Sequence, residues 1–147
     1  MNHFASWIAT LGPVGKIKYA PGTFGSLCAI PIIYWTKEKP EFLVGLFIIF
    51  TLTGVWASGR VARNMKIHDP SCIIIDEVCG MLITFLFVPI NWYFLGIGFI
   101  CFRFFDIMKP PPIRFLEKAP GGIGIVLDDL GAGLFANIIL QIIFHYA

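Results

Sequence analysis

Charge is the scarcest ingredient of this chain. Asp, Glu, Lys and Arg make up 14% of its 147 residues, while 57% are hydrophobic. Soluble domains run at about 25% charged and about 45–50% apolar. With a mean hydropathy of +0.80, the sequence reads as an integral membrane protein. Its length predicts a single domain over residues 1–147. The net charge of +2, without any basic stripe, argues against a nucleic-acid partner. Four cysteines (Cys28, Cys72, Cys79, Cys101) form no CxxC pair and no zinc spacing. They are read as small buried hydrophobes. The opening MNHFASWIATLG lacks a charged segment followed by a long apolar run, so no cleaved signal peptide is expected.

Other absences narrow the chemistry. No phosphate-binding G-x-x-x-x-G-K-[ST] loop occurs, because Gly15 and Lys16 are followed by Ile17. Gly122-Ile123-Gly124 does not continue to a third glycine, since position 127 is leucine. No cysteine is followed by arginine at the offset of the cysteine phosphatases. There is no D-x-D nucleophile and no G-x-S-x-G elbow.

What the chain does have is five apolar stretches, at about 24–36, 42–59, 78–88, 93–105 and 130–147. They predict an all-α, compact, membrane-associated bundle of about five or more helices. A spanning helix wants about 20 apolar residues. The second and last stretches approach that length, and the other three are short. If each crosses once, residues 1–23, 60–77 and 103–129 share one side. That side holds Lys16, Lys18, Arg60, Arg63, Lys66, Arg103, Lys109, Arg114 and Lys118, against Lys37 and Lys39 opposite. The bias predicts a cytoplasmic side for the first set. The same side receives Asp69, Asp76, Glu77, Asp106, Glu117, Asp128 and Asp129, so the motif loops should gather at one end.

Four constellations lie there. In IIIDEVCGMLITF, Asp76 and Glu77 open a helix within an apolar run. Acids suit a helix N-terminus, but charge near hydrocarbon is costly and marks a functional candidate. Gly80, four residues on, leaves that face bare for close approach. In FRFFDIMKPPPIRF, Arg103 and Asp106 share a helical face, and Pro110 should stop the helix at Lys109. The pair is either an intrahelical ion pair or a carboxylate fixed beside cations that hold phosphate. In GGIGIVLDDLGAG, the glycines predict a flexible loop, then Asp128 and Asp129 at a helix mouth. Asp129, Gly133 and Asn137 recur at four-residue spacing as a packing stripe. In YAPGTFGSL, Thr23 is a candidate N-cap with Ser26 three residues on, and Gly22 and Gly25 leave amides open to phosphate. His68 and Asp69, in KIHDPS, show no metal-ligand spacing and read as solvated loop residues.

Acids beside Arg and Lys at one membrane face suggest Mg²⁺ with a phosphate. Mg²⁺ takes one or two carboxylates and phosphate oxygens. Asp76, Glu77, Asp106, Asp128 and Asp129 are the candidate acids, while Arg103 and Lys109 would neutralise charge on the transferred group. The competing reading is a small transporter or channel subunit using these acids as an ion relay. A relay wants acids along a path between both faces, whereas these cluster at one end.

The motifs PGTFGS, HD, IDEVCGM, FRFFDIMKPPPIR and GGIGIVLDDLGAG, in that order, resemble the phosphatidylglycerophosphatase A family of bacteria. The resemblance covers about residues 12–137. It implies an α-helical fold at the bacterial inner membrane and Mg²⁺-dependent hydrolysis of phosphatidylglycerophosphate to phosphatidylglycerol and phosphate. By the same resemblance, Asp76, Glu77, Asp106, Asp128 and Asp129 fall on the family's acidic positions. Arg103, Lys109 and Arg114 fall on its basic ones, and Thr23, Gly25 and Ser26 on its N-terminal motif. A phospholipid substrate and the bilayer are the expected partners; no obligatory protein partner is inferred.

Overall fold

The computed structural model describes residues 2–147. Among them, seven α-helices form the bundle: α1 (His3–Ala9), α2 (Pro21–Trp35), α3 (Pro40–Met65), α4 (Ile75–Thr84), α5 (Trp92–Met108), α6 (Ile113–Leu116) and α7 (Gly121–Tyr146). No strand occurs among the described residues. The five apolar stretches became α2, α3, α4, α5 and α7. Local chemistry sets several ends. Asn91 caps α5, its side chain accepting from the Phe94 amide at 2.9 Å. Lys109 ends α5 in the left-handed region (φ 44), where the following proline forbids another turn.

The motifs do gather at one end. Gly22 of α2, Glu77 of α4 and Arg103 of α5 meet there. Gly59 of α3 lies against Gly122 of α7, and Lys109 reaches Asp128. The opposite end is aromatic. Tyr34 and Trp92 stack at 4.8 Å, and Trp35 meets Phe42 edge-on.

Among the described residues, only α3 and α7 are long and apolar enough to cross a membrane by themselves. Each has 26 residues, or about 39 Å of helix against about 30 Å of hydrocarbon. Their outer faces expose Ile48, Ile49 and Leu52 on α3, and Leu134, Ile138 and Ile142 on α7. Such apolar surface suits lipid.

The expectation that every stretch forms a crossing helix is met in length and apolarity by α3 and α7 alone among the described residues, and it fails most plainly for the third stretch. Helix α4 has 10 residues, about 15 Å, and stops at Thr84. The chain continues without helix to Asn91. Helix α7 supplies the missing donors. Asn137 Nδ2 donates to the carbonyls of Thr84 (2.9 Å) and Leu86 (2.8 Å). Gln141 Nε2 donates to that of Phe87 (3.1 Å). Non-helical backbone at membrane depth is tolerated only when its polar groups are met in this way.

Helix α4 is the centre of the bundle. Val78, Met81, Leu82 and, just beyond it, Phe85 pack with Ile33, Leu43, Leu95, Phe102 and Leu140 in the main core. Its contact with α7 is backbone-close, as the small-residue stripe predicted. A Cβ on Gly133 would strike the Gly80 carbonyl, and one on Gly80 the Phe102 ring. A second cluster, with Ala5, Ala9, Ala57, Val61, Ile75 and Val126, seats α1 beside α3.

Two local expectations need correcting. The GGIG segment is the first turn of α7 and no flexible loop: helix begins at Gly121, so Asp128 and Asp129 lie about two turns inside rather than at the mouth. Gly122 and Gly124 are bare because neighbouring backbone lies against them, at Val55 and Ala119 respectively. Thr23 does not cap α2. Pro21 sets the start, after Ala20 in the left-handed region, and no side chain caps that end.

Candidate functional site

Three carboxylates converge inside the bundle. Asp76 and Glu77 come from the first turn of α4 and Asp129 from α7. One oxygen of each lies within 4.8 Å of the others. The local cause is the Gly80–Gly133 contact, which brings α4 and α7 close enough for their acids to share one space. Asp76 and Asp129 are 6% and 3% exposed. Asp76 Oδ1, Glu77 Oε2 and Asp129 Oδ2 are buried without a hydrogen-bond partner.

Buried carboxylates that face each other repel, and leaving them unpartnered is expensive. Three converging carboxylates, each with an orphaned oxygen, fit a hard divalent cation, which takes oxygen ligands of this kind. Asp106 borders the cluster within electrostatic reach of both Glu77 and Asp129. Its carboxylate is already engaged by Arg103, one turn earlier on α5.

The neighbouring Asp128 faces elsewhere. One residue along a helix is a rotation of about 100°, which takes it away from the trio. Its Oδ2 accepts from Lys109 Nζ at 2.6 Å, and its Oδ1 from the Asp129 amide at 3.0 Å. Lys109 also donates to Glu117 at 3.1 Å. Burial opposes the charge on Lys109, but the pairing with Asp128 and Glu117 prevails and raises its pKa above the ordinary lysine value. Thus the five candidate acids divide. Asp76, Glu77 and Asp129 hold orphaned oxygens, whereas Asp106 and Asp128 each face a cation.

The other candidate residues spread around this centre. Gly22, at the start of α2, has its bare side against Glu77 Oε1, and a Cβ there would come within 3.3 Å of Arg103 Nη1. Gly25 backs onto Ile74. The Ser26 hydroxyl donates to the Gly22 carbonyl at 2.9 Å, so it holds the helix rather than standing free. The amides of Thr23 and Phe24 donate to Ala20, which leaves the α2 start with fewer open amides than its sequence suggested. Arg114 is exposed on α6, with no ion pair among the described residues.

Sequence reasoning read His68 and Asp69 as solvated loop residues and gave Glu117 no role in the site. A cleft of about 210 Å³ is lined by His68, Asp69, Glu117, Lys118 and Asp128, among others. His68 Nε2 sits 3.3 Å from the Glu117 carbonyl. The signal was a titratable pair just before a proline turn, but nothing in it indicated that α7 would lie beside it.

The phosphatidylglycerophosphatase A family model matches residues 7–144. Phosphatidylglycerophosphatase A of Escherichia coli is 40% identical over 135 residues, covering 90% of this chain and 78% of that one. The Haemophilus influenzae protein of the same name is 37% identical over 132 residues, covering 86% and 80%. A Bacteroides thetaiotaomicron protein, provisionally named a phosphatidylinositol-3-phosphatase, is 36% identical over 137 residues, covering 87% and 86%. No solved structure matches the chain at a significant level.

Proposed function

Because the chain belongs to the phosphatidylglycerophosphatase A family, we propose that it hydrolyses phosphatidylglycerophosphate to phosphatidylglycerol and phosphate, with Mg²⁺ as its cofactor. The observation that carries the cofactor and the site is the trio of orphaned, buried carboxylate oxygens on Asp76, Glu77 and Asp129. These three would hold the cation. When bound, it supplies Lewis-acid polarisation of the phosphoryl oxygens.

The chain's own groups do the rest. Arg103 presents a planar fork of donors, the geometry that suits phosphate, and Asp106 fixes its orientation from one turn away. Lys109 holds Asp128 and Glu117 together and places positive charge on the loop that follows α5. Water adds to phosphorus as the bond to the glycerol oxygen breaks, and the proton that water gives up balances the one the leaving oxygen gains. The site's burial limits water to what enters from the loop end, and the bilayer keeps the acyl chains beside the bundle. This arrangement supports a multi-pass protein of the bacterial inner membrane, with the site on the cytoplasmic face where the cations collect.

Phosphate release from purified protein, compared across several lipid phosphates with and without Mg²⁺, tests the reading. Release from phosphatidylglycerophosphate that EDTA abolishes is expected. Undiminished release in EDTA would remove the metal assignment. Preference for a phosphorylated inositol lipid would move the substrate toward the Bacteroides relative. Ion flux through liposomes without phosphate release would revive the relay reading.

A further inference from the structure

Glu77, the one partly buried member of the trio, brings it nearest to the flank of the bundle. Gly22 on α2 packs against Glu77 and, with it, Arg103 of α5. The seam between the start of α2 and the last turns of α5 therefore runs beside Glu77. Exposed apolar side chains continue it on both helices: Leu27 on the Ile30 side of α2 and Ile107, one turn beyond Arg103, on α5.

Further along α2 the seam widens. Ile30 and Pro31 lie about 12–14 Å beyond Gly22 at 1.5 Å per residue. They line a groove of about 510 Å³ together with Tyr34, Trp35 and, across the seam, Trp92 of α5. Its walls are almost wholly apolar, with Lys37 and Glu38 at the far rim. One leaflet of hydrocarbon is about 15 Å deep, half of the bilayer core. The distance from the site to the groove is thus the depth that one acyl chain covers. The outer faces of α3 and α7 are apolar too, but neither ends at Arg103 and Glu77.

We propose that the α2–α5 seam binds one acyl chain of the lipid substrate, with the phosphate end beside Arg103 and the distal methylenes in the groove between Ile30, Tyr34 and Trp92. The proposal rests on the phosphatase reading and adds where the rest of the lipid lies.

The test uses the full chain in phosphatidylcholine bilayers. Phosphatidylglycerophosphate with a diazirine at the end of one acyl chain is photolysed on it, with phosphate release measured in parallel. Labelling is expected on residues 30–35 and 92–95, and an excess of unlabelled lipid phosphate should displace it. Even labelling of the α3 and α7 outer faces overturns the proposal. So does an identical pattern from a phosphatidylcholine carrying the same diazirine. In a second arm, Ile30→Trp fills the groove. The ratio of KM for a dihexadecanoyl substrate to that for a dihexanoyl one should rise by about ten-fold, since long chains lose buried methylenes that short ones never placed there. An unchanged ratio overturns the proposal, and because a ratio is read, a folding defect that lowers both rates does not imitate the effect. Absence of release from every lipid phosphate would instead sink the phosphatase reading, while displaceable labelling would still support the groove.

Discussion

The two ends of α4 treat their polar groups in opposite ways. Where the helix stops, the carbonyls of Thr84, Leu86 and Phe87 are each met by an amide of Asn137 or Gln141. Where it starts, Asp76 Oδ1 and Glu77 Oε2 are buried and met by nothing. An unmet buried polar group costs about 1–3 kcal/mol, more if charged. A bundle that caps a broken helix with two side chains of α7 has the means to give these acids donors too. The contrast teaches that the far end is built for stability, whereas the near end keeps unmet charge of the kind the proposed cation would meet.

The sharpest way to break that contrast is at the acids. Asp129→Asn and Asp76→Asn should each lower phosphate release by about 10³-fold, the scale of losing a key electrostatic contact in a transition state, as read by single-turnover assay. Stability in EDTA should hold or rise, because a repelling charge has left the trio. Unfolding of either variant in EDTA would show these acids to be structural. Next in size is Lys109→Met, which strips Asp128 of its cation. Breaking a largely buried pair costs about 3 kcal/mol, measured by denaturant unfolding in micelles. The pH dependence has a definite sign. The folded pKa of Lys109 is raised, so the stability it adds is fully present below the unfolded lysine value. It is lost only as pH rises through the folded one, so this contribution should be flat between about pH 6 and 9.

Metal binding to the near end should stabilise the unmodified chain by about 2.7 kcal/mol at a hundred times the dissociation constant. Asp129→Asn should remove that thermal shift. At the far end, Asn137→Ala should cost about 1–3 kcal/mol by stranding the Thr84 carbonyl and leaving that of Leu86 only the long bond from Gln141, while the catalytic rate of the surviving folded fraction stays near that of the parent. The smallest effect is expected for Glu117→Gln. Its side chain is 41% exposed, and such pairs contribute about 0–1 kcal/mol.

Much of this was legible in the residues themselves. The apolar runs marked α2, α3, α4, α5 and α7. Arg103 and Asp106 had the spacing of an intrahelical pair, and Pro110 fixed the stop at Lys109. The stripe of Asp129, Gly133 and Asn137 was visible, but its division of labour was not, because that depends on what α4 presents to each position. The glycines of GGIG misled for a physical reason. Glycine weakens a helix on its own, and here backbone neighbours at Val55 and Ala119 make it the residue that fits. The end of α4 at Thr84 was equally hidden. Its neighbours 85–88 are all apolar, and only donors far along the chain allow the backbone to leave the helix there. The split between Asp128 and Asp129 likewise follows from which partner each side of α7 meets.

The spacing along α7 has a consequence for how this protein can change. One helix carries the carboxylate that completes the trio, the glycine that admits α4, and the amide that closes α4's open end. Inserting a single residue between Asp129 and Asn137 would turn everything beyond it by about 100°, so no local repair could restore all three at once. The length of that segment is therefore locked, while the exposed hairpin around Lys37 and Glu38 is free to grow or shrink.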